Sequence, residues 1–299
     1  MLDYALIEAV AAVLREGSFE RAAHALGVTP SAVSQRVKLL EERMGTALIV
    51  RGQPCTPTDA GARLCRHAER VAMLEADLRH ELPGIAGPGG AADRPVLPIA
   101  VNADSLATWF GEVIAGAASE GTALLDVSID DQDHTAEWLQ RGRVLAAVTS
   151  LGTALPGCRS RRLGALRYRA TASPAFVHRW FADGVTARTL AQTPCLVFDR
   201  KDRLQHRWAA RIARRPVEPA AHRLPSAHAF VAAALAGVGW AMNPEPLVSG
   251  HLRAGRLVEL VPDTPLDVPL HWQVARIGAP LLDRLGLRVA EAARRSLLG

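Results

Sequence analysis

The sequence predicts an α/β protein of several domains, with a helical N-terminal module, one long helix and an α/β body of two lobes. Three observations carry this. The first 82 residues read as helix almost throughout, PGIAGPGGAADRP at 83–95 is a Gly/Pro-dense break, and short β-rich runs alternate with amphipathic stretches beyond it. At 299 residues the chain exceeds one ordinary core, so units of roughly 80 to 200 residues are expected. The division is 1–58 for the N-terminal module, 59–82 for the long helix, 83–95 for a hinge and 96–299 for the body.

Composition sets the class. The chain is 49% hydrophobic and 22% charged, which is globular rather than disordered material. Its formal charge is +5, yet Met1 to Leu82 holds ten basic residues against eleven acidic. Affinity for nucleic acid must therefore come from local placement rather than bulk charge. Cys55, Cys65, Cys158 and Cys195 form no C-x-x-C pair and no metal-ligand spacing with histidine, as expected of free thiols in a reducing cytosol. The opening MLDYALIEAV lacks a basic leader region, and no apolar run approaches the roughly 18 residues of a membrane span. A cytoplasmic protein with no membrane partner is expected.

In the N-terminal module, Leu6, Ala9, Val10 and Val13 share one face of a first helix. Ser18 caps a second helix, whose buried side is Phe19, Ala22, Ala23 and Leu26. Gly27 permits a sharp turn, and Thr29-Pro30 opens a third helix. There Val33, Val37, Leu40 and Met44 form the inward stripe, while Ser31, Ser34, Gln35 and Lys38 share the opposite face. Short hydroxyls, an amide and a cation are the groups that reach base edges and phosphates in a major groove. ALIVRGQPCTPT (47–58) then reads as a β-wing with Arg51 at its tip, placed for phosphate or the minor groove. From Thr58 a helix of about two dozen residues carries the seam Leu64, Ala68, Val71, Leu74 and Leu78, which points to pairing with a second copy.

The run GSFERAAHALGVTPSAVSQRVKLLEERMGTALIVR, followed by TPTDAG, resembles the LysR-type transcriptional regulators, and the similarity extends over the whole chain. The resemblance implies a winged helix-turn-helix, a linker helix and a two-lobed, periplasmic-binding-protein-like effector domain. It places Pro30, Ser31, Ser34, Gln35 and Lys38 on the DNA-reading helix, flanked by Ser18 and Thr29, with Arg51 on the wing. The family often has Arg where Gln35 stands, so base preference there is open. Double-stranded operator DNA, a homodimer or homotetramer, and RNA polymerase are the partners it suggests.

In the body, strands are expected at 96–101, 123–129, 144–150, 195–198, 239–242 and 257–261, in largely parallel sheets. After the first, Asp104 or Ser105 caps a helix at the carboxyl edge of a strand, where a helix N-terminus favours an anion. Ser105 and Thr108 add hydroxyls, and a second helix start at LPSAHAF is capped by Ser226. Asp104, Asp130, Asp131, Asp133, Asp199 and Asp202 supply carboxylates for an ammonium or guanidinium. A basic amino acid satisfies both features, although SIDDQDHT also reads as a solvated turn and helix cap. VNADSLATWF, EWLQRGRVLAAVTS, ALPGC, LGALRY and VPLHWQ are similar to the LysG/ArgP branch, which implies a lysine or arginine effector and control of an amino-acid exporter gene. The effector residues carried over are Asp104, Ser105, Thr108 and Thr149, with Asp131, Asp133 and Asp202 as weaker candidates, and Ser226 joins them as the cap of the second helix start. His228 stands where the branch tends to be acidic, which leaves ligand choice open.

Other classes find little support. Gly237-Val238-Gly239 lacks the third glycine of a dinucleotide fingerprint, and G-x-S-x-G, P-loop and H-E-x-x-H motifs are absent. No enzyme, cofactor or metal site is expected. The basic run 200–216 reads as a solvated helix face rather than a second nucleic-acid patch. The alternatives kept open are a LysR-type regulator with a different effector and an effector-independent architectural DNA-binding protein.

Overall fold

The computed structural model describes residues 2–82, 94–130, 138–140, 142–276 and 279–299. Apart from Arg94 and Pro95, the 83–95 break lies outside the described residues, as do Asp131 and Asp133. The chain forms two compact units, one reaching to Val96 with the short pieces Gly121–Leu124 and Ala279–Leu281, the other made of the remainder.

The first unit contains α1 (Tyr4–Glu16), α2 (Phe19–Ala25), α3 (Pro30–Met44), β1 (Ile49–Val50), β2 (Thr56–Pro57) and α4 (Asp59–Glu81). Leu6, Ala9, Val10 and Val13 of α1 are buried with Ala22, Ala23, Val33, Val37, Leu40 and Leu48 in one core. Burying such aliphatic side chains contributes about 1.5–3 kcal/mol each for the larger ones, far more than helix propensity. One expected core position is corrected. Met44 is 43% exposed, because α3 ends there and the chain turns off through Gly45 at φ 65°. On α4, Leu64 joins the core, whereas Leu74 and Leu78 lie at the surface, 47% and 49% exposed.

The second unit contains β3 (Val96–Asn102), α5 (Ala103–Thr108), α6 (Phe110–Glu120), β4 (Leu124–Asp130), β5 (Ala146–Thr149), β6 (Cys158–Ala172), α7 (Pro174–Trp180), α8 (Ala187–Gln192), β7 (Cys195–Val197), α9 (Leu204–Ala213), β8 (Ala221–Arg223), α10 (Ala227–Leu235), β9 (Ala241–Pro244), α11 (Glu245–Arg253), β10 (Val258–Glu259), β11 (Leu266–Ala275) and α12 (Pro280–Ser296). All six expected strands form, β9 two residues later than its sequence pattern suggested.

The sheets are mixed rather than largely parallel. Among the described pairings, β3–β5 and β7–β8 are parallel, while β6 runs antiparallel to β9, β10 and β11, and β11 antiparallel to β5. The cause is the pair of long strands that the β-rich runs did not reveal, β6 and β11. Cys158–Arg162 of β6 pairs with His271–Ala275, and Gly164–Tyr168 pairs with Leu266–Leu270, with a register shift between Leu270 and His271. β5 attaches at His271–Val274 and β3 beyond it, whereas β9 and β10 attach at Tyr168–Ala172. The sheet is therefore two lobes joined by two shared strands.

Candidate nucleic-acid interface and ligand cleft

Side-chain caps start both α2 and α3 and so set the outward face of α3. Thr29 Oγ1 accepts the Ala32 N–H at 3.2 Å and shares a 3.0 Å hydrogen bond with Ser31 Oγ. Ser18 Oγ accepts the Arg21 N–H at 3.2 Å, starting α2 as the sequence indicated. A cap of this kind contributes about 1 kcal/mol. With Val33 and Val37 buried, Thr29, Pro30, Ser31, Gln35 and Lys38 are exposed and Ser34 is half-buried. Lys38 meets Glu42 at 3.7 Å with both side chains mostly exposed, a pair worth well under about 1 kcal/mol and easily given up to a phosphate.

The wing is a two-stranded ribbon, Ile49 opposite Pro57 and Val50 opposite Thr56. Two groups fix its base. Glu41 Oε1 accepts the Leu48 and Ile49 N–H groups at 2.7 and 3.3 Å, so this acidic residue at the end of α3 serves the wing. Thr58 donates its hydroxyl to Ala47 O at 2.8 Å and accepts the Gly61 N–H at 3.1 Å. At the tip, the exposed Arg51 guanidinium lies 5.3 Å over the Phe19 ring, a cation–π contact that holds the charge beside α2.

In the second unit, β3 delivers α5. Asn102 is the N-cap residue and makes no side-chain cap bond, so Asp104 and Ser105 do not cap this helix. Asp104 lies in its first turn and turns to the other lobe, where it accepts the Tyr168 hydroxyl of β6 at 2.7 Å. Burial pushes the Asp104 carboxyl up to about 6; the Tyr168 bond opposes this, and the charge of Asp202 adds to it. The Tyr168 hydroxyl is driven well above its ordinary value, first by burial and then by Asp104 and Asp202. Two carboxylates from opposite lobes therefore act on one phenol. Asp202 itself accepts the Phe198 N–H at 2.9 Å and the Leu204 N–H at 3.0 Å, fixing the loop that enters α9.

The remaining sequence-derived residues divide. Ser105 is fully buried and its Oγ has no hydrogen-bond partner among the described residues. Thr108 donates its hydroxyl back to Asp104 O at 2.6 Å, so that donor is spent within α5. Thr149 ends β5, buried, and accepts the Leu151 N–H at 3.2 Å. Ser226 caps α10 through Ala229 N–H at 3.3 Å, and α10 packs on α5. Asp104, Ser105, Asp202 and Ser226 are thus tied to elements that meet between the lobes, while His228 is exposed on α10.

Comparison with known proteins decides what this arrangement is. Residues 4–62 match the model of the bacterial regulatory helix-turn-helix protein, lysR family, and residues 93–284 match that of the LysR substrate binding domain. The chain belongs to the LysR family of transcriptional regulators. Within it, the regulator is 44% identical over 287 residues to ArgP of Pseudomonas fluorescens Pf0-1, covering 95% of each chain. It superposes on the crystal structure of Mycobacterium tuberculosis ArgP with a TM-score of 0.80 and 42% identity, covering 100% of each chain. Full-length LysG of Corynebacterium glutamicum, solved with the effector arginine bound, gives a TM-score of 0.69 and 35% identity, again covering 100% of each chain.

Two buried polar groups of the second unit escape sequence reading. Tyr168 sits in the middle of the unforeseen β6. Gln273, fully buried on β11, accepts the Leu155 N–H at 3.1 Å and donates to Leu151 O and Thr153 O at 3.0 and 2.9 Å, so it shapes the segment that follows Thr149. The available signal was a polar residue inside an apolar strand run, LHWQVA, which needs buried partners.

Proposed function

We propose that this regulator is a ligand-operated switch on operator DNA whose effector is a basic amino acid, arginine or lysine. The observation that carries it is Asp104. A carboxyl held between lobes, pushed up to about 6 by burial and by Asp202, is an unfavourable place for a charge until a cation joins it. A guanidinium or ammonium neutralises that pair of acids. The start of α5, with Ser105 Oγ unpartnered among the described residues, and the start of α10 receive the α-carboxylate. The effector arginine bound to the C. glutamicum relative supports this ligand class.

Operator binding in this reading falls to Ser31, Ser34, Gln35 and Lys38 on α3, with Thr29, Pro30 and Ser18 at its margins and Arg51 in the wing. A dimer or tetramer forms through α4, where Leu74 and Leu78 of the seam are exposed, and RNA polymerase acts at the same promoter. The regulated gene is an amino-acid exporter, and the protein works in the cytoplasm. Differential affinity of the effector for two assembly states, about 1–3 kcal/mol, supplies the coupling.

The test is calorimetric titration of the purified regulator with arginine, lysine, histidine and the uncharged analogue citrulline, alongside binding to its own upstream DNA at fixed salt. Tight binding of arginine or lysine with loss for citrulline is the expected result. Equal binding of citrulline removes the cationic reading. Saturable binding of a neutral or acidic metabolite instead would favour a different effector, a reading that the exposed His228 keeps relevant. Ser34→Ala and Arg51→Ala are each expected to weaken operator affinity on the order of tenfold and leave arginine affinity unchanged. Unaltered operator affinity in both would move the reading helix and wing elsewhere.

A further inference from the structure

We propose that Leu297 and Leu298, just after α12, form a strap across the pivot of the two lobes and set how freely those lobes close. Leu298 lies antiparallel to Ala165, donating its N–H to Ala165 O at 3.0 Å and accepting the Ala165 N–H at 2.9 Å. Ala165 is the second residue of the distal half of β6, immediately after Gly164, where the sheet changes lobe. Its N–H and C=O point to the strap, which puts Leu298 on the edge of β6 away from β11. Its register partner on β11 is Pro269, and because Ala165 turns both backbone groups away from β11 the two residues face each other as a non-hydrogen-bonded pair.

Three irregularities coincide here. Gly164 adopts φ +136°, a backbone state other residues rarely enter. The pairing with β11 shifts register between Leu270 and His271, where β6 carries the extra residue Leu163, which loosens the ladder and increases its twist. The strap then closes over the spot: a Cβ on Gly164 would lie 2.5 Å from Leu298 O and 2.9 Å from Leu297 Cβ. The ladder between the two connecting strands is thus interrupted at one level, on the β6 side, and two backbone hydrogen bonds from a third segment bridge that level. α12 is tied to α6 of the first lobe by the ion pairs Arg295–Glu112 at 2.8 Å and Arg288–Glu120, with Leu282, Leu285 and Val289 buried. Through α12 the strap therefore ties the first lobe to the first residues of the second. Bonds so few open on their own at a low free-energy cost, as a gating contact requires. The inference rests on lobe closure in the proposed switch, but not on the identity of its ligand.

The experiment measures the spread of inter-lobe distances in the ligand-free, full-length protein. Spin labels are placed at Ala118→Cys on α6 and Arg215→Cys after α9, both exposed, in a Cys65→Ser background because the other three cysteines are buried. Removing residues 297–299 is expected to broaden the distance distribution and to speed hydrogen exchange of the Ala165 amide on the order of tenfold or more, with strand cores still protected. Leu298→Pro, which keeps the chain length and deletes the N–H given to Ala165, should do the same and decides the matter if the shortened chain does not fold. Gly164→Ala should accelerate Ala165 exchange strongly in the full chain and less in the shortened one. An unchanged distribution together with unchanged Ala165 exchange in folded variants overturns the strap. Failure of arginine to bind the parent protein would sink the ligand reading while leaving these distances interpretable.

Discussion

Asp104→Asn is expected to reduce arginine affinity on the order of a hundredfold or more, because it leaves the ligand's cation in the cleft without its buried partner. The substitution keeps shape and an acceptor for the Tyr168 hydroxyl, so operator binding by the ligand-free protein should persist. The pH dependence follows from the same group. With a native value of about 6 against an ordinary 3.8, the folded protein keeps this proton where the unfolded chain has released it. Ligand-free stability contributed by Asp104 is therefore full below about 4 and declines as pH rises toward 6. A bound cation favours the charged form, so arginine affinity should climb between pH 5 and 7, by at most about tenfold per unit, and level off above. Calorimetry in two buffers of different ionisation enthalpy would detect the released proton. Wild-type arginine affinity in Asp104→Asn, or a flat pH profile across that range, would remove Asp104 from the cation's site.

Local signals made the N-terminal unit legible in the sequence. Ser18, Thr29 and Thr58 each cap the helix they precede, and the buried α1 and α3 positions follow the 3.6-residue period, apart from Met44 at a helix end. Such features depend on residues three or four apart. The second unit depends on pairings about a hundred residues apart, and there the reading was weaker. β6 spells CRSRRLGALRYRATA: its proximal half is rich in arginine and its distal half buried, so no single alternation runs through it. β11 carries Pro269, which argues against a strand unless its missing N–H faces no partner. Without these two strands the pattern predicts parallel sheets, and nothing in it brings Tyr168 to Asp104. Asp104 itself was found for an incomplete reason. The sequence offers it both as a helix cap and as a carboxylate for a cation; Asn102 takes the cap position, and the Asp104 carboxyl faces the opposite lobe.

The same contrast between local and distant contacts governs the largest expected effect on stability. Gly61 stands in the first turn of α4, where an alanine would ordinarily add about 1 kcal/mol of helix propensity. Here the added Cβ would lie 1.9 Å from Leu48 O and 2.9 Å from Leu48 C, a backbone contact that no side-chain rotation relieves. That carbonyl also accepts the Thr58 N–H at 3.1 Å, and Thr58 in turn caps α4 and binds Ala47 O. To admit the methyl, α4 must back away from the wing and give up those bonds, so overpacking outweighs propensity and Gly61→Ala should destabilise the first unit by about 3 kcal/mol. Thr58→Ala, which removes the cap alone, should cost about 1 kcal/mol. Hydrogen exchange across residues 4–62 would show the loss, and operator affinity should fall with it, while arginine titration still reports an intact cleft. Parent-like protection and operator binding in Gly61→Ala would mean that the junction between wing and helix yields by more than an ångström without penalty, and that the glycine in TPTDAG is there for another reason.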